Sequence, residues 1–471
     1  MSYETAVSQM FALGHELAQT PSHKFDLKHM RVLLAELQHP ERRFPAVLIA
    51  GTNGKGSTAA TLASILRASG IKTGLYTSPH LLRINERIQV DGIEIGDDEF
   101  AGLHRKVDSV AEQLVARGEL PWHPSFFEMM TAIAFEYFAQ ERVELAVLEV
   151  GMGGQLDATN VVEPLVSVIT DISLDHQKFL GDTVTEIARE KVGIIRPGGV
   201  VVTLPQQPEA NDVIGNTVME LGARGVNAVP YVPPVSPGSG EYFQTTSKTF
   251  NAEIAEIAEK DRVGYFYRYP LDVMGREILV ETALVGRHQL RNVALAIATA
   301  VELSGKFSGI TATTVERGIR ETSWPGRFQQ IALPGWPEIV FDVAHNPAGA
   351  WALRAALSER YPDRRLIFVF GAMRDKAIAE MTEILFPLAE SVVVTRAENP
   401  RSASPEEIRA EAARTSVEIV SAADVEAALA AAKRLAGADA VIVLTGSIYL
   451  VGEAMRVLEA ERLRFQPAVF P

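Results

Sequence analysis

The residues from Gly51 to Ser57 read Gly-Thr-Asn-Gly-Lys-Gly-Ser and lie between an apolar run, Phe44–Ala50, and a helix-like segment, Thr58–Ser69. Glycines allow backbone N–H groups to approach an anion, the start of a helix adds partial positive charge, and Lys55 adds a full charge. A serine at the end of such a loop can bind Mg²⁺. The sequence therefore predicts an ATP-binding phosphate loop, which comprises Gly51, Thr52, Asn53, Gly54, Lys55, Gly56 and Ser57.

This phosphate loop differs from the common pattern, because Gly56 separates Lys55 from Ser57. A stretch rich in glycine and serine after a strand is often only a turn, and a kinase or a GTPase could use a similar loop. The flanking strand, the helix and the lysine together favour phosphate binding.

Composition limits the class of protein. A chain of 471 residues is expected to form two or three domains. The formal charge of −14 argues against a nucleic-acid partner, and the absence of cysteine excludes disulfides and thiolate chemistry. No signal peptide and no apolar run of about 18 residues is recognisable, so we expect a cytoplasmic protein with no membrane partner.

Short runs of valine, isoleucine and leucine alternate with helix-compatible sequence in both halves of the chain, which is typical of buried parallel sheets. In the first half the predicted strands are Ala46–Ala50, Lys72–Tyr76, Leu145–Val150, Val166–Thr170 and Val200–Leu204. In the second half they are Ile339–Val343, Leu366–Phe370, Val392–Thr395, Val417–Val420 and Val441–Thr445.

The predicted fold class is therefore α/β. We expect an N-terminal domain over residues 1–322, with a parallel sheet of the P-loop type and flanking helices, and a smaller Rossmann-like C-terminal domain over 323–471. Prolines and glycines with weak periodicity interrupt the pattern at 205–274. We interpret that segment as an elaborated loop or a small subdomain.

Three other loops near predicted strand ends contain residues that could bind a metal or take part in the reaction. Glu149 ends a strand beside the phosphate loop and is well placed to hold Mg²⁺; the alternative is a capping or ion-paired glutamate. Ser78 lies in a proline-containing loop just after the strand Lys72–Tyr76. His176 and Lys191 follow later; an imidazole can bind a metal and a buried lysine can change its chemistry. Taken alone, both could be ordinary side chains.

Many motifs occur in one order along nearly the whole chain, and together they resemble the folylpolyglutamate synthase/dihydrofolate synthase family of the Mur ligase superfamily. The matching segments are Phe25–Ser57, Thr77–His80, Asn85–Ile88, Glu149–Asn160, Leu174–His176, Ile187–Lys191, Gly286–Asn292, Trp324–Arg327, Asp342–Asn346, Asp375–Lys376 and Thr445–Ser447.

The resemblance implies an ATP-dependent ligase that joins L-glutamate to dihydropteroate, or to the glutamate tail of tetrahydrofolate, through an acyl phosphate. It implies that Lys55 contacts the β- and γ-phosphates. One Mg²⁺ would be held by Ser57, Ser78 and Glu149. A second Mg²⁺ would be held by His176 and by Lys191, the latter as a carbamate formed with CO₂. The catalytic residues would be Lys55, Glu149, His176 and Lys191.

The resemblance also implies the remaining binding residues. Asn292, Arg327 and Asp342 would hold the nucleotide from the side of the second domain. His345 and Ser447 would help to place the incoming glutamate. The pterin would lie near Asp157 and either Phe126 or Phe127. The chain departs from the family pattern at Gln155, where a basic residue is usual.

Two alternatives stay open from the sequence. The chain could be another Mur-type ligase, acting on a cell-wall precursor or resembling a cyanophycin synthetase, or an ATP-binding protein without turnover. We expect a monomer that acts on both folate substrates.

Overall fold

The computed structural model describes residues 1–14, 27–234, 243–244 and 266–465. The chain divides into two compact units. The first unit consists of Met1–Val235, Tyr269–Val280 and Gln289–Ser323, and the second consists of Ser236–Arg268, Glu281–His288 and Trp324–Pro471.

The N-terminal half alternates strands and helices as the sequence predicts. Its elements are α1 Tyr3–Ala12, α2 Leu27–Glu36, β1 Ala46–Ala50, α3 Lys55–Ala68, β2 Thr73–Tyr76, β3 Ile88–Val90, β4 Ile93–Glu94, α4 Asp97–Ala116, α5 Phe126–Gln140, β5 Leu145–Glu149, β6 Pro164–Ile169, α6 Gln177–Leu180, α7 Val184–Val192, β7 Val200–Thr203, α8 Pro208–Glu220 and β8 Arg224–Asn227.

These strands form one eight-stranded sheet in the order β4-β3-β2-β5-β1-β6-β7-β8. The strands from β2 to β8 in this order pair in parallel, whereas β3 pairs antiparallel with both β2 and β4. Every residue of β1 and β5 is buried, because helices cover both faces of a parallel sheet. The predicted parallel sheet is confirmed, with an antiparallel edge in addition.

The beginning of the segment 205–274 is more regular than the sequence predicts. Helix α8 starts with Pro208 in its first turn, where proline costs no hydrogen bond, and β8 then adds a parallel strand to the sheet. Most residues of β8 are exposed, so it lacks the apolar run that marks the inner strands. Residues 235–242 and 245–265 lie outside the described part of the chain.

The middle of the chain contains β9 Phe243–Gln244, β10 Phe266–Val273, β11 Arg276–Thr282, α9 Arg287–Ser304 and α10 Ala312–Arg320. The three strands form a small separate sheet in the order β11-β10-β9. Helix α9 begins in the second unit and continues from Gln289 in the first.

The second unit contains a six-stranded sheet in the order β12-β13-β17-β14-β15-β16. In this sheet β12 pairs antiparallel with β13, and the other pairs are parallel. Its elements are β12 Gln329–Ile331, β13 Glu338–Phe341, α11 Pro347–Arg360, β14 Leu366–Phe370, α12 Ile378–Leu385, β15 Ser391–Val394, α13 Pro405–Glu411, β16 Glu418–Ser421, α14 Val425–Ala436, β17 Val441–Thr445 and α15 Ile448–Phe465. Strands with helices between them again give the predicted α/β architecture.

Among the described residues, no helix combines the length and the apolar character that crossing a membrane requires.

Candidate active site

Parallel strands place their carboxyl ends at one edge of a sheet, and the loops of the first unit that carry the predicted site residues follow β1, β2, β5 and β6. The phosphate loop leads from β1 into α3, which starts at Lys55 with Gly54 as its N-cap. The first N–H groups of a helix have no partner within it, so those of Lys55, Gly56 and Ser57 are suited to an anion.

Two glycines of the phosphate loop are required by close approaches of the backbone. Gly54 has φ +90°, and a Cβ there would lie 2.1 Å from the Oδ1 atom of Asn292. A Cβ at Gly51 would lie 1.8 Å from the Oγ1 atom of Thr170, which is fully buried. The loop therefore packs directly against the end of β6 and against α9.

Asn292 is one of the predicted nucleotide residues, but it does not belong to the second unit. It lies in the part of α9 that the first unit contains, next to Gly54, and its Nδ2 atom donates to Gln289 at 2.9 Å. The assignment of Asn292 to the side of the second domain is therefore wrong. The N-terminal domain predicted over 1–322 already includes this residue.

Lys55 and Lys191 both contact the carbonyl oxygen of Gly51. The Nζ atom of Lys191 donates to it at 2.8 Å, and that of Lys55 donates to it at 3.1 Å and to the carbonyl of Thr52 at 3.2 Å. Lys191 is 3% exposed. Burial, reinforced by the charge of Lys55, lowers the pKa of Lys191 to about 7. A lysine with that pKa is partly neutral at physiological pH.

Glu149 ends β5 at the same edge of the sheet and is buried. Its Oε2 atom accepts from the backbone N–H of Ser78 at 3.1 Å. This contact brings together two of the three residues predicted for the first Mg²⁺. The third, Ser57, is buried in the first turn of α3.

His176 lies at the N-cap of α6 and has φ +52°, a conformation that costs energy for a residue with a side chain. Its N–H donates to Oδ1 of Asp175 at 2.8 Å, and its Nε2 atom lies 3.9 Å from Oδ2 of the same residue. His176 therefore has a carboxylate beside it.

The residues present fit Mg²⁺ that arrives with a nucleotide rather than a cage made by protein alone. No group of three or more His, Asp or Glu side chains that could hold a metal occurs in the described ranges. Mg²⁺ is usually held by one or two carboxylates together with water and substrate phosphates. Glu149, with the hydroxyls of Ser57 and Ser78, offers the hard oxygen donors for that arrangement.

The predicted pterin residues lie on α5 and on the connection between β5 and β6. Asp157 is buried and accepts from the N–H of Met152 at 3.0 Å and from the Oγ1 and N–H of Thr159 at 2.5 and 3.0 Å. Burial raises the pKa of Asp157, although these hydrogen bonds oppose the rise. Gln155, the departure from the family pattern, is exposed, and its N–H donates to the carbonyl of Glu190 at 2.8 Å.

The two phenylalanines have different surroundings. Phe127 packs against Tyr76, with ring centroids 6.0 Å apart. Phe126 stacks on Phe11 at 5.9 Å, and the guanidinium of Arg87 lies 5.2 Å from its ring centroid. Phe11 has no role assigned from the sequence, because only the fold brings α1 to the start of α5. Arg87 lies in the matching segment Asn85–Ile88, to which the resemblance gave no specific role.

In the second unit, Asp342, His345 and Ser447 follow two neighbouring parallel strands, β13 and β17, whereas Arg327 precedes β12. Asp342 follows β13, is buried, and accepts from the N–H groups of Phe328 and Ala344, both at 2.9 Å. Burial raises the pKa of Asp342, and the nearby charge of Arg327 opposes the rise.

His345 and Ser447 lie on the two loops that follow these strands. The Nδ1 atom of His345 is 2.9 Å from the carbonyl oxygen of Val343, and the N–H of Gly446 donates to the carbonyl of Ala344 at 3.0 Å. The second hydrogen bond joins the two loops, so residues far apart in the sequence meet at one edge of the sheet.

Comparison with known proteins places this geometry in a family. Residues 326–448 match the family described as Mur ligase, glutamate ligase domain. The chain is 33% identical over 436 residues to the dihydrofolate synthase/folylpolyglutamate synthase of Bacillus subtilis, covering 92% of this chain and 95% of that protein. The chain belongs to the folylpolyglutamate synthase/dihydrofolate synthase family.

Solved structures agree over nearly the whole chain. Folylpolyglutamate synthase from Mycobacterium tuberculosis, complexed with ADP and AMPPCP, superposes with a TM-score of 0.79 at 29% identity, covering 96% of this chain and 98% of that one. E. coli FolC, in complex with DHPP and ADP, gives 0.77 at 28% identity, covering 98% and 99%. The predicted family, the α/β fold class and the class of ATP-dependent ligase in folate metabolism are confirmed.

Replacing Gly54 by alanine tests the fit of the phosphate loop against α9. The new Cβ would collide with Asn292, so Gly54→Ala should weaken ATP binding about tenfold or more. Gly70→Ala is the matched control, because Gly70 also has a positive φ, +77°, but nothing lies within 4 Å of its added Cβ. Calorimetric titration with ATP and thermal melting would measure both variants. Equal ATP affinity for the two would contradict the packing argument.

Proposed function

We propose that the protein adds L-glutamate to dihydropteroate and also to the glutamate tail of tetrahydrofolate, through an acyl phosphate formed with ATP. The observation that carries this proposal is the phosphate loop with Lys55, together with the buried Glu149 and Lys191 at the same edge of the sheet. The relatives named as dihydrofolate and folylpolyglutamate synthases give the substrate class.

The chemical problem is to join a carboxylate to an amine in water. A carboxylate is a poor electrophile, and transfer of the γ-phosphoryl group from ATP converts it to an acyl phosphate. The ammonium of Lys55 and the first N–H groups of α3 would stabilise the charge that develops on the phosphoryl oxygens. The amine of glutamate then attacks the acyl carbon, and phosphate leaves as the amide forms.

Mg²⁺, when bound through Ser57, Ser78 and Glu149, would neutralise phosphate charge. We assign a second Mg²⁺ to His176 and to a carbamylated Lys191. Carbamylation requires a neutral amine, whose nitrogen attacks CO₂ and releases a proton to solvent. The buried position of Lys191 and its pKa of about 7 support this assignment.

The remaining roles follow the family pattern. We assign Asn292, Arg327 and Asp342 to the nucleotide, and His345 and Ser447 to the incoming glutamate. Phe126 or Phe127, with Asp157, is assigned to the pterin, since flat rings stack on aromatic side chains. We also propose that the enzyme is a monomer of the cytoplasm, with domains at 1–322 and 323–471.

Removing the lysine of the phosphate loop tests the ATP role. Lys55→Ala should lower kcat by about a hundredfold or more, because it removes a preorganised charge from the developing phosphoryl oxygens, while the fold remains intact. Lys306→Ala, at an exposed lysine after α9, is the control and should retain activity. ADP release and circular dichroism would be measured for both. Wild-type turnover by a folded Lys55→Ala variant would contradict the proposed role of Lys55 in ATP binding.

Carbamylation of Lys191 predicts a signal that does not depend on activity. Protein equilibrated with ¹³C-bicarbonate should show a carbamate resonance by NMR, and Lys191→Ala should lack it while Lys306→Ala keeps it. The signal should grow as the pH rises through about 7, because the neutral amine becomes the main form. An active enzyme with no carbamate resonance above that pH would refute the modification.

The substrate assignment is tested by measuring ADP formation with dihydropteroate, with tetrahydrofolate or with neither, in the presence of L-glutamate throughout. Stimulation by both pteridines is the expected result, and stimulation by one would restrict the enzyme to a single reaction. Stimulation by neither would overturn the folate assignment and favour another Mur-type ligase.

A further inference from the structure

A charged pair lies beside the first half of the phosphate loop. Arg291, on α9, contacts the carboxylate of Asp171 with two nitrogens, Nη2 at 2.6 Å from Oδ1 and Nε at 3.2 Å from both carboxylate oxygens. The same Nη2 atom donates to the carbonyl of Pro205 at 2.9 Å. A planar guanidinium held at two points fixes the position of the carboxylate.

The backbone of Asp171 holds the phosphate loop. Its carbonyl oxygen accepts from the N–H groups of Thr52 at 2.8 Å and of Asn53 at 3.1 Å. Ser173 extends this contact, since its N–H donates to Oγ1 of Thr52 at 3.1 Å and its carbonyl accepts from that hydroxyl at 3.0 Å. The side chain of Asn53 donates to Oγ of Ser173 at 3.2 Å.

These contacts divide the phosphate loop into two parts with different tasks. The N–H groups of Thr52 and Asn53 point to Asp171 and serve to place the loop, whereas those at the start of α3 are left for an anion. Where the anion-binding N–H groups lie therefore depends on where Asp171 lies.

We propose that Asp171 and Arg291 are positioning residues for nucleotide binding. Through Arg291 the pair ties the start of the loop to α9, and the next residue of that helix, Asn292, packs against Gly54 in the middle of the loop. One helix thus sets two points of the loop. The inference rests on the proposed phosphate-binding role of that loop.

The other side of the Asp171 segment is also held. The side chain of Gln206 accepts from the N–H of Ile172 at 3.0 Å and donates to the carbonyl of Thr170 at 3.2 Å. Asp171 is therefore clamped by backbone contacts on both sides, and its carboxylate is the part that connects to α9. The variant that removes only the charge, Asp171→Asn, isolates this connection.

The pair is partly exposed, with 34% of the Asp171 side chain and 30% of the Arg291 side chain accessible. Ion pairs exposed to this extent contribute little to global stability, because solvent and salt screen them. A purely structural role would therefore change almost nothing. A positioning role predicts instead a loss that is specific to the nucleotide.

Steady-state kinetics of Asp171→Asn, Arg291→Gln and the double variant test the proposal. We expect each single variant to raise KM for ATP about three- to tenfold, with KM for glutamate unchanged and the melting temperature nearly so. The double variant should be no worse than the poorer single variant, because both remove one interaction. Arg291→Lys keeps the charge but not the planar fork, so it should raise KM for ATP by an intermediate amount. This variant tests the pair if Asp171→Asn fails to fold.

Glu390→Gln is the matched control. Glu390 forms a two-point pair with Arg365 at 2.5 Å for both contacts, exposed on the second unit, and its loss should leave KM for ATP at the wild-type value. An unchanged KM for ATP in folded Asp171→Asn and Arg291→Gln would overturn the proposal, as would an equal rise in KM for all substrates. If Lys55→Ala has lost activity in those same assays, the proposed function stands and only the positioning role has failed.

Discussion

The carbonyl oxygen of Gly51 accepts hydrogen bonds from two lysines, and this contact joins the phosphate loop to α7. Lys55 comes from the same loop, whereas Lys191 reaches it from α7, 140 positions later in the sequence. Burial, reinforced by the nearby charge of Lys55, lowers the pKa of Lys191, so its ammonium gives up a proton more easily. The same place in the fold therefore holds the loop and favours the neutral amine of Lys191, which is the form that the proposed carbamylation requires.

Most of the fold can be predicted from the sequence because its inner strands are buried on both faces. The strands Leu366–Phe370 and Val441–Thr445 have the predicted bounds, since a run of apolar residues is what a central parallel strand requires. The strand Arg224–Asn227 lies at an edge and is mostly exposed, so it has no apolar run from which a strand could be predicted. The helix before it, Pro208–Glu220, is not predicted from the sequence because it lies within a segment interrupted by prolines.

Less of the candidate site than of the fold can be predicted from the sequence. The side chains of the phosphate loop, Glu149 and Lys191 have chemistry that can be recognised in the sequence, and the family resemblance implies their roles. Asp171 and Arg291 are ordinary charged residues 120 positions apart, and nothing in their local sequence indicates that they meet. Their contact depends on the path of the chain from β6 to α9, which only the assembled sheet provides.

The two edges of the eight-stranded sheet bear on how the protein behaves at high concentration. Exposed strand edges can pair with another chain and start aggregation. One edge here is β4, which has only two residues, and the other is β8, whose Arg224 carries a charge and pairs with Glu302. A very short strand and a charged strand are both poor templates for pairing. The sheet that carries the phosphate loop thus ends on each side in a way that discourages self-association through its backbone.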